Sequence, residues 1–319
     1  MKRISADSQS DRILNQRSRA SFWKYFRENY PLYILIIPSV VFIIIFCYVP
    51  IYGIQIAFRD YKFSLGIWGS EWVGLKHFIR YATSANFWPL IRNTLWLSVY
   101  SLFLGFPAPL FFALLINELR SIRLKRTIQM ISYAPHFIST VALCGMITLF
   151  LQKDNGIINI LIHRLGGTPQ NFLANPDSFP TIYVLSGIWQ GLGWNSIIYL
   201  AALSGVDPQL VEAARIDGAT RLQKIGYIDL PGISPTIIIL LILSAGSLLS
   251  SGFEKILLLQ NSLNMDTSDV ISTFVYRMGI TNAQYSYTTA IGFFNSVVTA
   301  VILVVVNKIA KAATETSLW

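Results

Sequence analysis

Charged side chains are scarce in this sequence. Only 13% of its 319 residues are Asp, Glu, Lys or Arg, whereas 53% are hydrophobic. Soluble domains carry about 25% charged residues, so this chain has more apolar surface than a water-soluble fold can bury. The low charge content excludes an ordinary soluble domain and indicates that lipid is the solvent for most of the chain.

Cysteine and histidine are also rare, with two cysteines and three histidines. Cys47 and Cys144 lie inside apolar stretches, which argues against a disulfide framework. His77, His136 and His163 are far apart and lack the spacing of metal ligands. We therefore expect that this chain binds no metal and no cofactor of its own.

Two sources of energy for transport are missing from the sequence. It contains no G-x-x-x-x-G-K-[ST] phosphate loop, so it does not bind ATP by that route. Secondary carriers need charged groups that face an interior cavity. Here His136 is the only ionisable residue well inside an apolar stretch, and Glu254 and Lys255 lie at the end of one. If a chain of this composition carries out active transport, the energy must come from another subunit.

Six stretches are long and apolar enough to cross a membrane, which requires about 20 residues in a helix. They are Leu32–Phe58, Asn93–Ile116, Thr127–Leu151, Thr181–Ser204, Thr236–Gly252 and Tyr287–Asn307. The predicted fold class is therefore an all-α membrane protein with six transmembrane helices. Pro107, Pro109 and Pro135 lie within or at the ends of the second and third stretches, where we expect static kinks.

The segments between these stretches differ in charge. The N-terminal tail, the loop after the second stretch, residues 207–235 and the C-terminal tail together carry twice as many Lys and Arg residues as the opposite loops. The positive-inside rule predicts that both termini and residues 207–235 face the cytoplasm. Two of the opposite loops, 59–89 and 253–286, are rich in aromatic residues, and we expect them to fold against a partner.

Residues 207–235 form the least hydrophobic interior segment, with the sequence DPQLVEAARIDGATRLQKIGYIDLPGISP. Asp207 can cap a first short helix, and Gly218 suits the left-handed conformation that ends one. A capping box starting at Thr220 predicts a second helix, which Pro231 is expected to stop. A polar helix–turn–helix between membrane spans is suited to binding a partner outside the bilayer.

The same segment carries a motif at fixed spacing. Its residues are Glu212, Ala213, Ala214, Gly218, Ile228, Leu230 and Pro231. This pattern resembles the EAA loop of the membrane subunits of ABC importers. Further segments are similar to the LplB-type permease subunits for complex sugars and oligosaccharides, namely Tyr48–Asp60, Gly74–Phe78, Arg92–Thr94, Gly105–Pro109, Tyr133–Ser139, Tyr199–Ala202 and Ser317–Trp319.

The resemblance implies a type I importer permease fold in which the loop couples to an ATPase. It implies a cytoplasmic tail at 1–30, a first helix and outer loop at 31–89, a five-helix permease domain at 90–309 with its coupling loop at 207–235, and a tail at 310–319. In the coupling loop Glu212 would anchor to a basic group of the ATPase, and Gly218 would make the bend. Ala213 and Ala214 would let the helix seat closely, Leu230 and Pro231 would fix the return to the membrane, and Asp217 and Ile228 complete the candidate site.

The resemblance also implies partners and a location. They are a second homologous permease subunit in a heterodimer, an ATPase dimer that binds ATP and Mg²⁺ in the cytoplasm, and an external solute-binding protein, with no nucleic acid. The substrate would be an oligosaccharide or complex sugar, either neutral or acidic, such as a uronate oligomer of the pectin or alginate type. The chain would be a multi-pass protein of the bacterial plasma membrane and not itself an enzyme.

Span four carries candidate groups for a sugar path. Aromatic rings can stack on sugar rings and amides can bond hydroxyl groups, which singles out Trp189, Gln190, Gly191, Gly193, Trp194, Asn195 and Tyr199, with Asn295 in span six. The two glycines are expected to loosen the helix. The alternative is that the aromatic residues mark the membrane interface and the amides join helices.

Two other function classes are open to a six-span chain. A membrane-embedded transferase would need paired carboxylates or a metal-ligand cluster near one membrane face, and the carboxylates here are scattered. A passive channel would leave the polar helix pair of residues 207–235 without a role. Copurification with an ATPase would distinguish an importer subunit from both.

Overall fold

The computed structural model describes residues 27–249, 252–314 and 317–318. Most of the predicted tail at 1–30 and part of the tail at 310–319 therefore lie outside the described residues. Within the described part, the α-helices are α1 (Tyr30–Ile43), α2 (Gly66–Gly69), α3 (Lys76–Ala82), α4 (Phe87–Gly105), α5 (Pro107–Asn117), α6 (Ile122–Tyr133), α7 (Thr140–Phe150), α8 (Ile157–Arg164), α9 (Phe179–Leu203), α10 (Pro208–Ile216), α11 (Arg221–Lys224), α12 (Leu230–Gly246), α13 (Phe253–Leu259), α14 (Met265–Ser268), α15 (Ile271–Tyr276) and α16 (Tyr285–Thr314). Two short strands, β1 (Arg59–Lys62) and β2 (Ser70–Trp72), complete the regular structure with short 3₁₀ and π turns.

Several of these elements join into long apolar helices. Among the described residues, four helices are long and apolar enough to cross a membrane: Tyr30–Phe58, Phe87–Asn117, Arg221–Gly246 and Tyr285–Thr314. A fifth span results if α6 and α7 are counted as one bent pair. Helix α9 has 25 residues, which is long enough, but Gln190 and Asn195 dilute its hydropathy. The mostly helical membrane fold is confirmed, and the count of six spans stays a prediction.

The third predicted span is broken. Helix α6 with its following 3₁₀ turn meets α7 at an angle of 96°, so Thr127–Leu151 is not one continuous helix. Pro135 lies in the 3₁₀ turn, Ile138 is extended, and the Ser139 side chain caps α7. Because proline has no N–H and a capped serine starts a new helix, the chain turns here. The kink expected at Pro135 is present and is far sharper than a static bend within a span.

The outer loop at 59–89 folds onto its own chain. Strands β1 and β2 pair antiparallel, with Arg59 opposite Trp72. The backbone N–H of Tyr61 donates to the Ser286 hydroxyl of α16 at 2.9 Å, and Tyr81 of α3 is buried in a cluster that includes residues of α15 and α16. This loop therefore packs against α15 and α16 of its own chain, and its contact with a partner stays a prediction.

The segment at 253–286 is likewise part of the core. Ile256, Leu259 and Val270 pack with Leu97 of α4 and Phe179 of α9 in a second buried cluster. A third cluster, formed by Ala113, Leu114, Tyr199, Leu203 and Ile233, joins α5, α9 and α12. Burying these apolar side chains holds α4, α5, α9 and α12 together around the cavity described below.

Candidate functional site

Two short helices, α10 and α11, form an exposed hairpin in the segment that carries the motif. The Asp207 carboxylate accepts from the backbone N–H of Gln209 at 2.8 Å and starts α10. Gly218 has φ +76° and ends it. Thr220 and Gln223 form a reciprocal capping box at the start of α11. The local structure expected from the sequence is confirmed at each of these caps.

The second helix does not stop at Pro231, which corrects that expectation. A π turn, Ile225–Asp229, follows α11, and the helix continues into α12 without a break. Pro231 is the second residue of α12 and has no N–H to donate to the preceding turn, yet the helix continues past it. Farther along, Pro235 cannot donate to the carbonyl of Pro231, and the Ser234 hydroxyl donates to that carbonyl instead at 2.8 Å. The second helix of the hairpin is therefore continuous with a membrane span.

The motif residues lie in two parts of this structure, the exposed hairpin and its base. Glu212, Ala213 and Ala214 lie on α10, and Asp217 and Gly218 form its end. Ile228 lies in the π turn, while Leu230 and Pro231 begin α12. Leu230 packs against the third buried cluster. The structure thus places the first five residues on the exposed hairpin and the last three at its base.

The hairpin exposes apolar side chains as well as charges. Ile216 is 86% exposed and Leu222 is 81% exposed. Glu212 is also exposed and makes no ion pair within the described part of the chain. Exposed isoleucine and leucine on a short helical pair, beside an unpaired carboxylate, are features of a protein-binding surface. The sequence motif alone did not single out these two apolar residues.

A buried ion cluster lies at the base of the hairpin. The Lys224 ammonium donates to the Glu118 carboxylate beyond the end of α5 and lies 3.1 Å from an oxygen of Asp229. The side chains of Lys224, Glu118 and Asp229 are 13%, 16% and 2% exposed. Lys224 and Asp229 are five residues apart, and the π turn between them brings them to one side. Sequence reasoning missed this cluster, because an α-helix would bring residues four apart together.

A cavity of about 450 Å³ with both apolar and polar walls lies between α4, α5, α9 and α12. Of the predicted sugar-path residues, Gln190, Gly191, Asn195 and Tyr199 line it. The Gln190 amide also donates to the carbonyl of Ile138 at 2.8 Å, so this side chain supports the bend between α6 and α7. Hydroxyl groups on α4 and α12, which sequence reasoning did not select, complete the lining.

The other predicted path residues lie elsewhere. Trp194 stacks on His136, with ring centroids 4.3 Å apart, and Trp189 borders a separate apolar pocket. Gly193 is buried, and a Cβ there would lie 2.3 Å from the carbonyl oxygen of Ser132 on α6. Its role is close helix packing and not the loosening of α9, which is unbroken over this region. Asn295 donates to the carbonyl of Leu249 at 3.4 Å and does not line the cavity.

Lys255 also lines this cavity. The sequence placed it at the end of the fifth span, but the structure places it on α13, a separate helix packed into the core. A Glu–Lys pair at the start of an apolar stretch, FEKILLL, is the sequence signal that could have pointed to it.

Similarity to known proteins agrees with this architecture. Residues 105–314 match the family described as the binding-protein-dependent transport system inner membrane component. The chain is 44% identical to the polygalacturonan/rhamnogalacturonan transport system permease protein YteP of Bacillus subtilis (strain 168), over 93% of this chain and 92% of that protein. It is 46% identical to protein LplB of the same organism, over 88% of each chain.

A solved structure is similar over almost the whole chain. It is the crystal structure of a bacterial ABC transporter involved in the import of the acidic polysaccharide alginate, with a TM-score of 0.85 and 40% identity. The likeness covers 92% of this chain and 99% of that chain. Because the family match spans more than half of the sequence and both relatives cover most of it, this chain belongs to the inner membrane components of binding-protein-dependent transport systems, which are multi-pass permease subunits.

Proposed function

We propose that this chain is one membrane-spanning subunit of an ATP-driven importer for an oligosaccharide delivered by an external solute-binding protein. The exposed hairpin α10–α11 is the observation that carries the proposal. It joins directly to a membrane span and presents apolar and charged side chains that the described chain leaves uncovered. Such a surface is suited to a partner that moves the span.

The partner is an ATPase dimer, which binds ATP and Mg²⁺, while this chain binds no cofactor and catalyses no reaction. The hairpin seats in a groove of the ATPase, where Ile216 and Leu222 are buried and Glu212 pairs with a basic group. Burial of the two exposed apolar side chains would contribute roughly 1.5–3 kcal/mol each. Closure of the ATPase dimer then pulls on the hairpin, and α12 transmits the movement to the cavity.

The orientation follows from the same partner. ATP is available in the cytoplasm, so the hairpin and both termini face that side, in agreement with the excess of Lys and Arg there. The sheet β1–β2 and the helices α13–α15 then face outward and form the landing surface for the binding protein. The solved alginate transporter is described in complex with an oligosaccharide-bound periplasmic protein, which supports a binding protein as partner.

A second, homologous permease subunit completes the pathway, and we propose a heterodimer. The cavity lined by Gln190, Gly191, Asn195 and Tyr199 is this subunit's share of the sugar path. Amides, hydroxyl groups and an aromatic ring are the groups that recognise a sugar: the polar ones bond its hydroxyls and the ring covers its apolar face. The names of the relatives, which mention polygalacturonan, rhamnogalacturonan and arabinooligosaccharides, support an oligosaccharide cargo.

The test is uptake by the complete importer in proteoliposomes, with ATP inside and the binding protein with labelled oligosaccharide outside. Wild type should copurify with the ATPase and transport the sugar. Glu212→Lys should insert normally but lose uptake, because it reverses the anchoring charge, while Glu212→Asp keeps the charge and serves as the control. Uptake by Glu212→Lys at the wild-type rate would refute the assigned role of Glu212. Failure of wild type to bind an ATPase would refute the function itself.

A further inference from the structure

Lys255 is a buried cation at the wall of this cavity. It is 8% exposed. Its ammonium donates to the backbone carbonyl of Tyr183 on α9 at 2.9 Å and lies 4.9 Å from the centre of the Tyr183 ring. Both contacts are to neutral groups on one residue, so they orient the ammonium without neutralising it.

No carboxylate of the described residues forms an ion pair with this ammonium. The neighbouring Glu254 is exposed. A buried charge without a counter-charge is costly, and in membrane proteins such groups mark the paths of substrates and ions. The arrangement is therefore incomplete unless a negative group enters the cavity.

The rest of the lining is uncharged and combines apolar side chains with hydroxyl and amide groups. Its polar members include Ser98, Ser101, Ser244 and Asn195. The Ser101 hydroxyl is buried and has no hydrogen-bond partner among the described residues. A volume of about 450 Å³ falls in the range of small-molecule sites. Hydroxyl and amide groups suit the hydroxyls of a sugar, and a single ammonium suits one carboxylate.

We propose that Lys255 receives the carboxylate of an acidic sugar residue, a uronate, as an oligosaccharide passes through this cavity. The inference rests on the proposed function and assigns the substrate class to one residue. A neutral sugar would leave the ammonium unmatched, whereas a uronate supplies the missing charge and hydroxyls for the serine side chains. The alternative is that Lys255 only ties α13 to α9 through the Tyr183 carbonyl.

The test compares an acidic probe with its neutral counterpart in the complete reconstituted importer. The probes are trigalacturonate and the same trisaccharide with its carboxylates reduced to alcohols. Uptake is measured with the binding protein, and equilibrium binding to the purified transporter in nanodiscs is measured without it, so that selection by the binding protein is separated from selection by the cavity. The variants are Lys255→Met, Lys255→Arg, which keeps the charge, and Ser101→Ala, a neutral change in the same cavity.

Lys255→Met should weaken binding and uptake of trigalacturonate by at least about tenfold, as removal of one partner of a buried charge pair does. Binding of the neutral probe should stay within about twofold of wild type by the same reasoning. Lys255→Arg should retain binding of the acidic probe, and Ser101→Ala should affect both probes alike.

Three results would overturn the inference while leaving the importer function intact. The first is unchanged handling of trigalacturonate by Lys255→Met. The second is equal loss of both probes together with a lower melting temperature, which is what a purely structural tie predicts. The third is a wild-type importer that transports only the neutral probe. Absence of ATP-dependent uptake of any oligosaccharide would instead count against the proposed function.

Discussion

Removing the positive charge from the ion cluster at the base of the hairpin should destabilise this protein. Lys224 there faces two carboxylates, Glu118 and Asp229, of which Asp229 is 2% exposed. Lys224→Met removes the charge and keeps a flexible aliphatic side chain. The two carboxylates are then left close together in a partly buried site without a counter-charge.

The magnitude follows from the geometry. At the 3.1 Å between the Lys224 ammonium and the Asp229 carboxylate, Coulomb's law with an effective dielectric constant of about 20 gives an attraction of about 5 kcal/mol. Desolvation of the ions offsets part of this attraction. Breaking a buried pair by removing one partner costs about 3–5 kcal/mol in other proteins, so we expect a loss of that order in the free energy of unfolding.

The assay is thermal unfolding of the purified transporter in detergent, with uptake measured in parallel. Arg221→Met is the matched control, because Arg221 lies on the same helix, is exposed and forms no ion pair among the described residues. The melting temperature should fall in Lys224→Met and stay near wild type in Arg221→Met. The double variant Lys224→Met/Asp229→Asn should recover part of the loss, because one uncompensated charge is gone.

Equal melting temperatures for Lys224→Met and Arg221→Met would refute the reasoning. So would a double variant that is less stable than Lys224→Met alone. Equal melting temperatures would mean that the cluster is solvated and contributes no more than a surface ion pair, which is worth about 0–1 kcal/mol. A less stable double variant would mean that the Asp229 carboxylate stabilises the fold even without Lys224.

Three further predictions use single positions with matched controls. Gly218 has φ +76° and nothing within 4 Å of an added Cβ, so Gly218→Val should cost about 1–2 kcal/mol of stability through the backbone alone. The melting temperature and uptake should fall in this variant. Gly218→Asn should remain near wild type, because asparagine tolerates this conformation. An added Cβ at Gly193 would lie 2.3 Å from a backbone carbonyl of α6, whereas at Gly191 it meets only a flexible amide at 2.9 Å. Gly193→Ala should therefore have a much lower melting temperature than Gly191→Ala. Equal melting temperatures for the two variants would contradict the packing role of Gly193. The Lys76 ammonium donates to Asp60 and lowers the pKa of that carboxyl. The ionised Asp60 carboxylate therefore stabilises the folded state above its ordinary pKa of about 3.9, and this contribution is lost as the pH falls through the lowered pKa. Wild type should melt above Asp60→Asn at pH 7, and the two should converge in acid; a difference that persists when Asp60 is protonated would contradict this origin.

The hairpin shows how far local sequence information reaches. The caps at Asp207, Gly218 and Thr220 were predicted correctly because each is a hydrogen bond or a backbone conformation set within about four residues. The same local reasoning was wrong at Pro231. Whether a helix continues past a proline depends on the turn before it, and the π turn here lets α12 begin without a break.

The cavity lining could be predicted only in part from the sequence. Four of the seven path residues proposed on α9 do line it, since a helix that carries amides and an aromatic residue among apolar ones tends to turn them inward. Which face turns inward was not determined by the sequence, so Gly193 and Trp194 were assigned to the wrong side. Gly193 packs against α6, and Trp194 stacks on His136.

The sequence by itself determined that the chain lies in a membrane, that it is helical and that a capped polar hairpin interrupts its apolar segments. These properties follow from the transfer of side chains into lipid and from hydrogen bonds between near neighbours. Only the tertiary structure decided that Lys224 meets Glu118, 106 positions away, and that Lys255 bonds to α9 at the wall of the cavity. Contacts of this kind depend on how helices pack, which is fixed by the shape of the whole core and not by any single segment.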